Sequence, residues 1–291
     1  MNLETVSGAL TIAMFSTLLF VLVATAWQSL NRTLSSSNRF SGSIMFEAAQ
    51  RFRDQFDSLT RIQSIYLASL LVFLVIFLTA YLLGPDRFFE NLPKWQLFAM
   101  LGAVSLLGLY GLYRLAFVVL KKRSIEYIRD ANIATGHGLQ RLTSNQNRVF
   151  HDVPCLAGVI DNVIVGLQGV YSVCVVARKP AKDNRVRLEG DQLSFAPGNT
   201  TMSVAECGKR AAQLARELRK LVGHDIRVRP VIAVPGWEID AQSSADFLVV
   251  NERNLSMLRG WRDQKDYLMN EDVEQIQKLL TERCTRYKRN N

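Results

Sequence analysis

No Asp, Glu, Lys or Arg occurs in residues 5–31, 62–85 or 95–113. Three uncharged stretches of that length exclude an ordinary soluble globular protein, since about 20 apolar residues suffice to cross a hydrocarbon core of about 30 Å. Cysteine is sparse as well: Cys155, Cys174, Cys207 and Cys284 lie far apart with no CxxC, and His137, His151 and His224 are the only histidines. That excludes a disulfide-built mini-protein, and no Cys/His spacing matches a metal site. In a reducing compartment the four thiols read as small buried apolar residues. A P-loop is missing, because Cys207-Gly208-Lys209 lacks the upstream glycine spacing, and so is a GxSxG elbow. With 48% hydrophobic residues, a disordered chain is excluded too.

What is present is unevenly spread: mean hydropathy is +0.06 although 21% of the residues are charged. The apolar runs predict a membrane domain over 1–122 with three transmembrane helices at about 9–28, 65–84 and 95–120. Glu4 precedes the first run and no basic residue does, so it reads as a retained anchor rather than a secretory signal. Trp27, Tyr81, Trp95 and Tyr110 stand near the ends of the runs, where amphipathic rings favour the headgroup level. Arg114, inside the third run, can snorkel toward the interface or face a neighbouring helix, with snorkelling favoured. The small residues Gly102, Ala103, Ser105, Gly108 and Gly111 suit close helix packing within the chain.

Basic residues set the expected orientation. Segment 28–61 carries Arg32, Arg39, Arg51, Arg53 and Arg61, and Lys121-Lys122-Arg123 follows the third run. Loop 85–94 has Arg87 and Lys94 offset by Asp86 and Glu90. The positive-inside rule then predicts a multi-pass protein of the cell inner (plasma) membrane, with its N-terminus outside and its C-terminal domain cytoplasmic. Met45–Gln63 predicts a helix that lies on the inner leaflet, extends the second span, or serves as a solvated connector; Ser35-Ser36-Ser37 reads as a flexible join.

Residues 123–291 hold 25 Lys+Arg and 20 Asp+Glu, a mildly basic balance. The pattern predicts a linking helix over 123–145, an α+β domain over 146–260 with a mixed sheet flanked by helices, and a C-terminal helix with a basic tail over 261–291. Strands are expected at Arg148–Val153, Val159–Val165, Gly169–Val176, Arg187–Leu188, Gln192–Phe195, Val228–Val234 and Phe247–Val250, and helices at Val204–Val222 and Val273–Arg286.

Within that order, Ile160-Asp161-Asn162-Val163-Ile164-Val165-Gly166, followed by Gly169-Val170-Tyr171, resembles the nuclease-related domain (NERD) family over roughly residues 130–260. The resemblance implies a restriction-endonuclease-like fold. The family pattern starts at a glycine-rich helix start with an acid, continues through an I-D-H strand, and reaches a strand carrying Glu-x-Lys. Gly136-His137-Gly138, Arg148–Val153, the Val204 helix and the Pro230–Val234 strand take the corresponding places. Phosphodiester hydrolysis needs a hard cation held by carboxylates, and a lysine nearby to balance charge. An active member would therefore use Mg²⁺, with Asp161 as the catalytic and metal-holding residue.

This sequence keeps only part of that set. Asn162 stands at the family His, Cys174 at the Glu and Val176 at the Lys, and the early acid falls at Leu139 beside Gln140. One carboxylate holds Mg²⁺ poorly, so a degenerate, non-cleaving domain is favoured over an active nuclease with a relocated acid such as Asp152 or Glu189. Without the resemblance, Asp161 reads as a strand-edge carboxylate satisfied by a backbone or Arg partner. Arg178, Lys179, Lys209, Arg210 and Arg216 are the candidate nucleic-acid contacts, a solvated helix face being the plainer reading of the last three. The expected partners are the lipid bilayer and either DNA or other membrane or cytoplasmic proteins.

Overall fold

The structure, a computed structural model, describes residues 3–34, 44–84, 93–142, 147–180, 182, 184–198, 200–242, 244, 246–259 and 267–286. The join at residues 35–37, loop 85–92 and the tail beyond residue 286 lie outside them. Long apolar sequence without internal proline gives three helices: α1 (Leu3–Leu34), α2 (Gln50–Leu83) and α3 (Lys94–Leu142). Each is long and apolar enough to cross a membrane. Their exteriors invert those of soluble helices, with Leu82 75% and Leu106 70% exposed.

The chain divides into two compact units, Met1–Ser41 with Gln55–Ser124 and Gly42–Asp54 with Ile125–Arg289. In the helical unit Arg114 of α3 does not point only to an interface, because its guanidinium bonds the Tyr66 hydroxyl of α2. Lys122 Nζ donates to Gln63 Oε1 at 3.0 Å and lies 4.9 Å from the Phe56 ring centroid. Residues 50–63 therefore continue the second apolar helix. The expected linking helix is likewise no separate element: α3 passes through Lys121-Lys122-Arg123 because no Gly or Pro interrupts residues 113–135.

The sheet unit is α+β. Strands β2 (Arg148–Cys155), β3 (Gly158–Gly166) and β4 (Gly169–Val175) form an antiparallel meander with tight turns at Leu156-Ala157 and Leu167-Gln168. Helix α4 (Ala205–Val222) then leads into β8 (Val228–Ala233), which pairs parallel to β4, and β10 (Leu248–Val250) adds in parallel beside β8. The five-stranded order is β10-β8-β4-β3-β2. A second sheet, of order β7-β6-β5-β9, is built from β5 (Arg185–Glu189), β6 (Gln192–Phe195), β7 (Thr200–Ser203) and β9 (Glu238–Gln242). Polar β7 and β9 carry no apolar alternation. Pairing to β6 and β5 makes them strands.

One face of the large sheet packs Phe150, Val163, Val165 and Val170 against Leu214 and Leu218 of α4 and Ile276 and Leu280 of α5 (Asn270–Arg283). The other face packs Tyr171, Val173 and Val231 against Leu139 of α3 and Leu255 and Leu258 of a 3-10 turn. The glycines that the resemblance put at a helix start instead sit in the last turns of α3. A Cβ at Gly136 would lie 2.7 Å from Ala48 Cβ, and one at Gly138 would collide with Leu255, so they serve close approach.

The last helix stops at Arg283 rather than Arg286. Thr285–Arg286 forms β11, which pairs antiparallel with β1 (Ile44–Met45), and the Phe46 amide donates to Cys284 O at 2.8 Å. Residues 44–54 thus form a strap on the sheet unit, although about 70 residues of the helical unit separate them in sequence from its remainder.

Candidate functional site

The site begins with a break in the meander. Pairing of β2 with β3 covers His151↔Asn162 and Val153↔Ile160 but omits Asp152 and Asp161, which face one another between those pairs. Asp152 has φ +49°, a left-handed conformation that Asp tolerates better than most residues. Phe150 and Val153, three apart, consequently share one core cluster, as do Ile160 and Val163. The period of two slips there, and the slip directs two carboxylates inward.

Both are buried, Asp161 at 8% and Asp152 at 7% exposed. Asp161 Oδ2 accepts the Val175 amide at 2.8 Å, where β4 has lost its β3 ladder partner. Asp161 Oδ1 accepts Arg51 Nη2 at 3.3 Å. Asp152 Oδ2 accepts the Arg51 backbone amide at 2.9 Å, so it caps the first turn of α2 from a distant strand. Arg51 Cζ stacks 4.6 Å from the Phe52 ring centroid, and its Nε is buried without a partner. One arginine therefore answers both acids. Burial still pushes both carboxyls above the ordinary range, against the bonds from Val175 and Arg51.

The donor set does not fit a divalent cation. Asp161 spends its oxygens on an amide and a guanidinium. Cys174, at the family Glu position, is a buried thiol on β4, and Val176, at the Lys position, is a buried core residue. Leu139, at the early acid, is 0% exposed in the core. Glu189 is solvent-facing in the second sheet, 3.6 Å from Arg187. Among the described residues no group of three or more His, Cys, Asp and Glu is placed to hold a metal. Asp161 is also no edge residue, since β3 lies between β4 and β2.

On the far face of the sheet, His151 Nδ1 meets Asn162 Oδ1 at 2.6 Å and His151 Nε2 meets Gln140 Nε2 at 3.1 Å. Gln140 donating to Nε2 leaves the proton on Nδ1, a neutral ring that donates to Asn162. Burial holds the His151 pKa below its ordinary 6.5, with Asn162 opposing the shift. Asn162, which the resemblance sets at a His, thus acts as a hydrogen-bond acceptor.

The basic candidates do not converge. Arg178 turns its guanidinium over Phe195, 4.6 Å from the ring centroid, while its carbonyl accepts Tyr127 Oη at 2.9 Å and Trp237 Nε1 at 2.7 Å. Lys209 pairs with Glu206 at 2.8 Å, and Arg210 Nη1 donates to Val159 O at 3.2 Å. Lys179 and Arg216 are exposed. Sequence reasoning missed Arg51 as a site residue, because 110 positions separate it from Asp161 and no local spacing links them. No protein-family model, curated protein or solved structure matches the chain.

Two measurements on the full chain in detergent test this geometry. Arg51→Met strands Asp161, and because the Arg51 side chain is 37% exposed, solvent screening limits the expected loss to about 1–3 kcal/mol in chemical denaturation. Adding Asp161→Asn should recover most of that loss; equal losses in the single and double variants would dissolve the coupling. His151 has its folded pKa depressed, so its contribution is complete above the unfolded value near 6.5 and is lost as pH falls toward the folded value. Stability should fall below pH about 6.5 by up to about 1.4 kcal/mol per pH unit. His151→Gln should flatten that slope. Asp152 and Asp161, raised above 3.8, act with opposite sign at lower pH by binding protons first in the folded state.

Proposed function

We propose that the protein is an inner-membrane scaffold displaying a non-cleaving NERD-like domain to the cytoplasm. The observation that carries this reading is Arg51 on Asp161: a protein cation sits on the one carboxylate retained from the nuclease pattern. A guanidinium can neutralise an acid, but it offers no open coordination position and cannot activate water. The order of elements supports the restriction-endonuclease-like assignment: the end of a helix, three antiparallel strands, a helix, then a strand parallel to the third, matching the places named by the resemblance. The scattered basic side chains favour a protein partner over a nucleic-acid groove, which would need several cations along one track.

Membrane insertion is part of the same proposal. Three helices of sufficient length and apolarity support it. So does the make-up of the sheet unit, which combines Gly42–Asp54 with Ile125–Arg289. Segments folded together lie on one side of a bilayer, so the intervening α2 and α3 cross as a hairpin. The basic residues flanking them then assign that side to the cytoplasm.

Supercoiled plasmid incubated with the purified full chain and Mg²⁺ or Mn²⁺ should remain intact; metal-dependent nicking that disappears in Asp161→Asn would overturn the non-cleaving reading. For orientation, a reporter fused after Asn291 that is active only in the cytoplasm should give signal. A signal instead from a reporter active only outside would reject the topology.

A further inference from the structure

The two larger sheets of the sheet unit present four edges, and among the described residues three of them are closed to further pairing. On the five-stranded sheet, β2 carries the left-handed Asp152, and its Pro154 has no amide hydrogen. At the opposite edge β10 is only three residues long. The Gln242 side-chain amide occupies both backbone groups of Val249, donating to its O and accepting from its N at 3.0 Å each. On the second sheet, β9 shifts register against β5 at Val186/Arg187 and carries Glu238 and Asp240. Bulges, prolines, short strands and charges all keep an edge from joining another chain. Strand β7 has no such charge, proline or register shift: Thr200–Ser203 pairs regularly with β6 and is exposed along its whole length.

Pairing within the second sheet fixes which groups of β7 face outward. The turn Gly190-Asp191 closes β5 on β6 at Glu189↔Gln192, and the Ala196 amide donates to Arg185 O at 2.9 Å. Gln192, Ser194 and Ala196 thus turn their backbone groups to β5, and Leu193 and Phe195 turn theirs to β7. Met202 and Thr200 lie opposite those two, which leaves the N–H and C=O of Thr201 and Ser203 directed out of the sheet. Leu193 and Phe195 are buried in the core, but Met202, on the same face, is 44% exposed. The inner face of the sheet therefore runs one strand beyond its core.

We propose that β7 is a self-association edge, pairing antiparallel with β7 of a second copy of this chain about a two-fold axis at Met202. In that register Thr201 of each copy faces Ser203 of the other, and each such pair exchanges both its backbone hydrogen bonds. Met202 faces Met202 of the second copy at the position between them, where opposing Cα atoms lie about 4.5 Å apart and side chains are closest. Each then covers the apolar surface that the other leaves open. An axis through any other residue of β7 leaves Thr201 or Ser203 unmatched within the strand. The uncharged strand sets no like charges against one another, so a second copy fits without repulsion. The two four-stranded sheets become one of eight strands. This pairing is independent of whether the domain cleaves nucleic acid.

The test follows the unmutated full chain in detergent over a range of protein concentrations, by light scattering and by hydrogen exchange. Protein mass should double as concentration rises, and the Thr201 and Ser203 amides should gain protection in step with it. Met202→Lys and Met202→Glu each set like charges face to face across the axis and should weaken association about fivefold. An equimolar mixture of the two variants should restore it, because Lys then faces Glu. A mass that stays monomeric at every concentration overturns the proposal, as does a dimer whose β7 amides gain no protection; neither readout depends on a variant folding. Variants that associate as tightly as the unmutated chain, or a mixture no tighter than either variant alone, overturn it too.

Discussion

Burying a carboxyl group inside a sheet favours its neutral form unless hydrogen bonds and a positive partner oppose the shift, and several features of the sheet unit bring such partners to Asp161. Its own meander supplies an amide, from Val175, but no cation. Arg210 of α4 lies close enough to act on it electrostatically, but spends Nη1 on the Val159 carbonyl. The direct ion pair comes from Arg51, carried on a strap from between the first two apolar helices. Holding that strap takes further devices: the left-handed Asp152 that caps α2, the β1–β11 pairing, and Gly136, whose missing side chain admits Ala48. Each would be a local oddity alone. Together they deliver one guanidinium.

The same contact bears on the proposed reading, a nuclease-like arrangement of strands without nuclease chemistry. A metal pocket keeps clustered negative charge because the ion offsets it; remove the ion and the acids repel one another and resist burial. Here two acids stand together and the offset is built into the chain. The positions that the resemblance sets for two further acids and a lysine hold Leu139, Cys174 and Val176, side chains that pack in the core.

Much of this was legible in the residues. Uncharged runs marked the three long helices, and β-branched-rich runs with turn glycines marked β2, β3 and β4, because both signals are local. Asp161 could be singled out, and its plainer reading already named an arginine or a backbone group as partner. Which arginine was not legible: the pair spans 110 positions, and Arg51 stands among Arg53 and Arg61 with nothing local to distinguish it. Strands β7 and β9 escaped for a related reason, as their polar residues become strands only through pairing. Arg178 misled in the other direction. A cation in a basic sequence suggests phosphate, yet Phe195, brought close by the second sheet, offers its ring face.

The discontinuity of the sheet unit has a consequence for how the chain can fold. Strap residues 44–54 are made early, but every partner they use is made late: Asp152, Asp161 and finally Thr285–Arg286, close to the end of the chain. Until those partners exist, α2 has no cap at Arg51 and β1 has no strand to join. Helices α2 and α3 therefore precede in sequence every partner that the strap requires on the sheet. The strap thus ties the two ends of the unit together, since its contacts reach both the meander and Thr285–Arg286.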